Sequence, residues 1–319
     1  MLALATAAAL ALATPAHARH DLVLGIADQR AATFFDPRLA DLDMRHARIG
    51  VSWNVLEVDW ERAHVDRWLA SAQRQGITPL VSFQRSALDR RELPRPEEFA
   101  KQFRAFRERY PHVTQFSVWN EANHCGQPTC HRPELVAAYW RKLSLSCRQC
   151  TILAADILDL PNMSRWILDF RAHTLKNYRG EQRDPSHWGL HNYVDANRFR
   201  TVGTRRMRAH TRGEIWLSEV GGIVERNTAS PLRFPEGPRH AARATEWLLE
   251  KLVPLTSRIK RLYVYHWQID ELGGSWDSGL ITPGGRERPA YWVMADYVER
   301  RRDDEERRRE RAGAQDGRR

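Results

Sequence analysis

The chain has 319 residues and a formal charge of +10, from 50 Lys and Arg against 40 Asp and Glu. Its length accommodates one large α/β barrel, for which about 250 residues is typical, or two small domains, and it is long enough to bury a sizeable core. The basic excess comes without a P-loop, zinc-finger or RNA-recognition motif, so it reads as a solvated surface with at most a weak pull on anionic glycans, and nucleic acid is not an expected partner.

Residues 1–18 read as a signal peptide. Leu2 to Ala13 form an apolar run of the right length, and Ala16, His17 and Ala18 give the small-x-small form of a cleavage site. The positive charge that usually follows Met1 is missing. The run is too short for a bilayer, which needs ~20 apolar residues, and no later segment is long enough. A secreted or extracytoplasmic protein without an integral membrane segment is therefore expected.

From there, short β-rich runs alternate with amphipathic stretches, which argues for βα units and a parallel sheet. The expected strands are 21–26, 47–53, 77–83, 115–121, 151–156, 187–192, 214–219 and 261–267. Between them, 64–75 carries Val65, Trp68, Leu69 and Ala72 at helical spacing and stops at Gly76. Residues 97–109 repeat Phe99, Phe103 and Phe106 before Pro111, and 133–145, 163–175 and 239–252 follow the same logic. Between the first two strands there is room for a short helix at most. A last helix starts near Pro289, and after about residue 300 the chain is almost wholly charged. That tail, 301–319, is expected as a solvated helix or as disordered chain. The expected fold is a single-domain (β/α)8 TIM barrel over 19–300.

The four cysteines sit in two close pairs, Cys125 with Cys130 and Cys147 with Cys150. In an exported protein these read as two local disulfides that stiffen loops. His124, Cys125, Cys130 and His131 are zinc-ligand types, but their spacing fits no zinc motif, and export would oxidise the thiols. No metal and no organic cofactor is assigned.

Barrel enzymes carry their chemistry at the C-terminal ends of strands. Here those ends offer Trp53 and Asn54, then Asn120 and Glu121, then His191, Asn192 and Tyr193, then Glu219, then His266 and Trp267. One Glu at a strand end is usually a solvated loop residue. Two of them, each after a run containing Trp and one directly after Asn, form a rarer pattern. It suits glycosidic cleavage, in which one carboxylic acid protonates the leaving oxygen and a second carboxylate attacks the anomeric carbon. Flat aromatic faces bind sugar rings, and Asn and His bond hydroxyls.

The segment Ser117-Val118-Trp119-Asn120-Glu121-Ala122-Asn123 resembles the acid/base motif of the large clan of retaining glycosidases that includes families 5 and 39. Trp216-Leu217-Ser218-Glu219-Val220-Gly221 is similar to its nucleophile motif on strand seven. Arg48 to Trp53 resembles the strand-two segment whose Arg supports the nucleophile, His191-Asn192-Tyr193 resembles a His-x-Tyr of strand six, and Trp267 resembles the strand-eight Trp under the sugar. The loop after Glu121, from His124 to His131, matches no subfamily.

The resemblance implies a (β/α)8 barrel that cleaves a β-linked oligo- or polysaccharide by double displacement, with Glu121 as acid/base and Glu219 as nucleophile. Arg48, Trp53, Asn120, His191, Tyr193 and Trp267 are the implied substrate-binding set, Asn120 holding the 2-hydroxyl. Glu121 is expected to have a raised pKa, from the like charge of Glu219 and from aromatic walls. Glu219 is expected to stay ionised beside Arg48 and Tyr193. Trp53, Trp188, Tyr193, Trp267 and Trp276 are expected to shape the sugar site. A carbohydrate-binding barrel without catalysis is the alternative.

Overall fold

Eight parallel strands close into a barrel in the computed structural model, which describes residues 22–176, 184–227, 233–269 and 275–316. The leader assigned to 1–18 lies outside the described residues. The order is β1 (Val23–Ala27), α1 (Pro37–Asp41), β2 (His46–Ser52), α2 (Asp59–Arg74), β3 (Thr78–Gln84), α3 (Pro96–Arg109), β4 (Gln115–Ser117), α4 (Pro133–Ser146), β5 (Thr151–Leu153) and β6 (Asp156–Leu158). It continues with α5 (Met163–Lys176), β7 (His187–His191), α6 (Tyr193–Asn197), α7 (Val202–His210), β8 (Glu214–Val220), α8 (Pro238–Trp247), β9 (Ile259–Tyr265) and α9 (Pro289–Asp316).

The sheet runs β5-β4-β3-β2-β1-β9-β8-β7-β6. Its two ends belong to one strand. The Ala154 N–H donates to His187 O (2.9 Å) and Gly189 N–H to Ala155 O (3.0 Å), while Asp156 N–H reaches back to Trp119 O (2.9 Å). β5 and β6 are thus halves of the fifth barrel strand, β7, β8 and β9 are the sixth to eighth, and the ring is closed.

The helices pack an apolar stripe outside this ring. In α3, Pro96 opens the first turn and Glu97 and Glu98 sit at its positive end. Phe99, Phe103 and Phe106 are buried on its inner face against Phe83, with ring centroids 5.2, 6.1 and 5.6 Å away. The helix expected at 239–252 stops being α-helical at Trp247 and passes through a π turn, Leu248–Leu252. α7 was not expected, and Met207 is its one large buried apolar side chain. Of the two alternatives for the charged tail, helix is found as far as Asp316.

Inside the barrel, side chains from alternate strand positions form layers. The lower layer is Ala27, Leu80, Leu153, Trp216 and Tyr263, all buried. Below it the Arg261 guanidinium lies 3.8 Å from the centre of the Trp216 ring. Two residues further up two of these strands the interior turns polar: Leu80 is followed by Ser82 and Trp216 by Ser218, both fully buried. The site rests on this polar layer.

Candidate active site

Asp156 is the hub of the polar layer and is fully buried. Its Oδ2 accepts from Arg48 Nη2 (2.9 Å) and Ser82 Oγ (2.6 Å), and its Oδ1 from Ser218 Oγ (2.7 Å). Space for it comes from β7: a Cβ on Gly189 would lie 2.0 Å from Asp156 Oδ1. Burial raises the Asp156 pKa, but Arg48, His191 and the two serines outweigh that and hold it below the ordinary carboxylate value. Burial likewise disfavours charge on Arg48, and Asp156 and Glu219 keep it firmly protonated.

Arg48 carries this layer up to the barrel mouth. Its Nη1 donates to Glu219 Oε2 (2.6 Å) and its Nη2 to Asn120 Oδ1 (2.5 Å). The Tyr193 hydroxyl donates to Glu219 Oε1 (3.1 Å). Burial, then Glu219, pushes the Tyr193 pKa well above the usual phenol value, so it remains a donor. Glu219 reaches the mouth through an irregularity. Trp216 and Ser218 face inward, so strict alternation would send Glu219 outward, but the β8–β9 register slips between Leu217 and Val220. Such bulges re-aim a side chain.

Glu121 is also placed by broken regularity. The strand expected at 115–121 leaves the β4 ladder after Ser117, and Glu121 itself has φ 48°. A non-glycine residue in this left-handed region is strained, and such strain clusters at functional sites. Glu121 Oε1 lies 3.3 Å from His191 Nδ1, and Oε2 lies 3.8 Å from His124 Nδ1. One carboxylate oxygen of Glu121, one of Glu219 and a ring nitrogen of His191 all lie within 4.8 Å of one another.

The expected rise in the Glu121 pKa is corrected. Burial does raise it, but the His191 hydrogen bond and charge, then His124 and Arg48, bring it below the ordinary 4.5. His191 shifts the opposite way. Burial works against an imidazolium at His191, yet Glu219, Glu121 and Asp156 lift its pKa above the ordinary 6.5.

A cavity of about 470 Å³ opens above the pair, lined by Glu121, Glu219, Tyr193, Tyr265, Trp276 and Phe234 among others. Of the six expected substrate-binding residues Tyr193 lines it, whereas Arg48, Asn120, His191, Trp53 and Trp267 do not. Trp267 is 1% exposed; its backbone N–H donates to Asp28 Oδ2 (2.9 Å), its ring N–H to Asp36 Oδ2 (3.0 Å), and its ring packs edge-on to Tyr291. Tyr265, at the end of β9, lines the cavity in its place. Trp53 is packed in the apolar core, as is Trp188. Asn120 offers its oxygen to Arg48 and its nitrogen to Gln84 Oε1 (3.3 Å). Asp156 and Tyr265 had only weak signals in the sequence, a lone carboxylate closing an apolar run and a tyrosine within a strand.

The Cys125–Cys130 and Cys147–Cys150 disulfides are both formed. The first joins the two sulfurs of the HC-x4-CH cluster beside Glu121, so they are not thiolate ligands.

No family model and no curated protein matches the chain. Solved structures match in fold. A family 39 glycoside hydrolase from Bacteroides cellulosilyticus WH2 superposes with a TM-score of 0.56 at 13% identity, over 88% of this chain and 64% of its own length. A GH10 endoxylanase from a sugarcane soil metagenome gives 0.62 at 12% identity, over 87% and 97%. Xylanase 10B from Thermotoga petrophila RKU-1 gives 0.61 at 10%, over 93% and 99%. All share the (β/α)8 barrel with this chain.

Proposed function

We propose that the chain is a retaining glycoside hydrolase acting on β-linked O-glycosides. The supporting observation is the spacing of the two glutamates at the ends of the fourth and seventh barrel strands, whose nearest oxygens lie within 4.8 Å. Retaining enzymes hold the pair ~5–5.5 Å apart, whereas inverting ones leave ~6.5–9.5 Å for a water. The solved structures of like fold include a family 39 glycoside hydrolase, an endoxylanase and a xylanase, which accords with this reading.

Glu219 attacks the anomeric carbon, its two oxygens aimed by Arg48 and Tyr193. The glycosidic bond breaks toward the leaving oxygen, which takes a proton from Glu121. That proton is shared with His191 Nδ1, 3.3 Å away. Glu121 then draws a proton from the water that opens the glycosyl ester. The residues suffice without metal or organic cofactor. We also place the protein outside the cytoplasm, on the strength of its two disulfides. No helix among the described residues is long and apolar enough to cross a membrane.

The test is sugar release from aryl and natural β-glycosides. Glu219→Ala should abolish it on every substrate. Glu121→Ala should spare activated aryl glycosides, which need little acid, and lose ~10²–10⁴-fold on the rest. Equal losses on both kinds would reject the role of Glu121. Binding without release by the wild type would make the chain a carbohydrate-binding barrel instead.

A further inference from the structure

The two glutamates line one cavity, and each would meet a different part of a bound glycoside. In a double displacement the ring that keeps the anomeric carbon sits over the nucleophile, and the departing oxygen sits at the acid. The wall beside Glu121 is therefore the wall that meets the leaving group.

That wall comes from the end of β6, the β6–α5 connection and the start of α6, as Leu158, Leu160 and Val194. All three are half-buried and line the cavity. Leu158 is pinned next to the acid motif: its N–H donates to Asn123 Oδ1 (2.8 Å) and its carbonyl accepts from Asn123 Nδ2 (2.9 Å). Asp159 lies between the leucines but is already engaged. Its Oδ1 accepts from Val194 N–H (3.1 Å) and its Oδ2 from Asp195 N–H (2.7 Å). Among the described residues, His124 is then the polar side chain of this wall left to meet a ligand, and it already faces Glu121.

A sugar leaving group would press several hydroxyls against this surface with one imidazole to bond them. Hydroxyls buried without partners are unfavourable, whereas hydrocarbon against leucine and valine is favourable. We propose that this wall is a leaving-group subsite for an apolar alcohol, aryl or alkyl, rather than for a second sugar. This departs from the oligo- or polysaccharide expected from the sequence, and it rests on the glycosidase reading above. Glu219 adds to the anomeric carbon, the bonding pair goes to the alcohol oxygen, and the Glu121 proton joins it. The alcohol departs, and water restores both carboxyl groups.

The experiment compares octyl glycosides with the corresponding disaccharides, in which a primary sugar hydroxyl, more acidic than octanol and so the better leaving group, is the leaving oxygen, across a panel of glycones. Wild type should favour the octyl series in kcat/KM by at least ~30-fold. Leu160→Asn should shrink that preference by about tenfold. Sugar leaving groups turned over as well as octyl ones would overturn the inference and leave the glycosidase reading intact. Should nothing be cleaved, that reading fails, and calorimetric binding of 2-naphthol decides the subsite alone: binding weakened about tenfold by Leu160→Asn upholds it, and no binding overturns it.

Discussion

At Glu121 and His191 two side chains hold one proton between them, and the pH dependence of the reaction follows. Burial favours the neutral form of both, but Glu219, Glu121 and Asp156 lift the His191 pKa above 6.5, and His191, His124 and Arg48 bring that of Glu121 below 4.5. A coupled pair titrates as a unit, so the proton needed by the leaving oxygen is lost as pH rises through the upper value. The alkaline limb of kcat/KM should therefore lie above pH 6.5. In His191→Asn the proton belongs to Glu121 alone. Losing the imidazolium lifts the Glu121 pKa, yet the limb as a whole moves down toward the carboxylate range. A limb that does not move would assign the proton to another group. Asp156 acts one step further back, as the positioning residue under Arg48 and His191. Asp156→Asn should lower kcat/KM by ~100-fold through misplacement of Arg48, with near-ultraviolet circular dichroism unchanged. Of these residues, Glu121, Glu219, His191 and Tyr193 were singled out in the sequence because each closes an expected strand or opens its loop, and Arg48 because its strand-two segment resembles that of the clan. Asp156 was not, since its importance lies in Arg48, Ser82 and Ser218, which are 108, 74 and 62 positions away. Trp267, expected under the sugar, fills the core instead, and Tyr265 lines the cavity.

The elements that matter most are those where regular structure breaks. Periodicity located all eight barrel strands, because a strand buried on both faces is a near-continuous apolar run. It could not show that the fourth strand leaves its ladder after Ser117, or that β8 slips between Leu217 and Val220. Those two departures aim Glu121 and Glu219, and they arise from pairing between strands rather than from local sequence. The helix α7 was missed for a related reason: it is short, Arg-rich, and buries little beyond Met207. The fit of β7 against Asp156 gives a direct check on this geometry. Gly189→Ala would set a methyl 2.0 Å from Asp156 Oδ1 and 2.6 Å from Ser218 Oγ. The urea midpoint should fall by the equivalent of ~1–3 kcal/mol, as for overpacking, and activity should fall with it. Retained activity at unchanged stability would mean that the polar layer tolerates a shift of Asp156.

For the molecule as a whole, the ring of strands is closed by a fifth strand in two halves and is filled from below. Ala27, Leu80, Leu153, Trp216 and Tyr263 pack together as a buried plug beneath the polar layer, and Arg261 covers Trp216 from beneath. Sequence alone carried the barrel and the order of its strands, while the packing of its interior depends on which alternate positions face one another across the ring. That stoppered floor governs traffic. With the bottom shut, the mouth serves as both entrance and exit, so the freed alcohol and the incoming water must pass through one doorway. The alcohol has to clear its berth before water can reach the glycosyl ester, and an alcohol that lingers there can be joined back to the sugar. Hydrolysis and re-formation of the starting glycoside are thus set against each other by the residence time of the first product, a competition that an open-ended barrel would relieve.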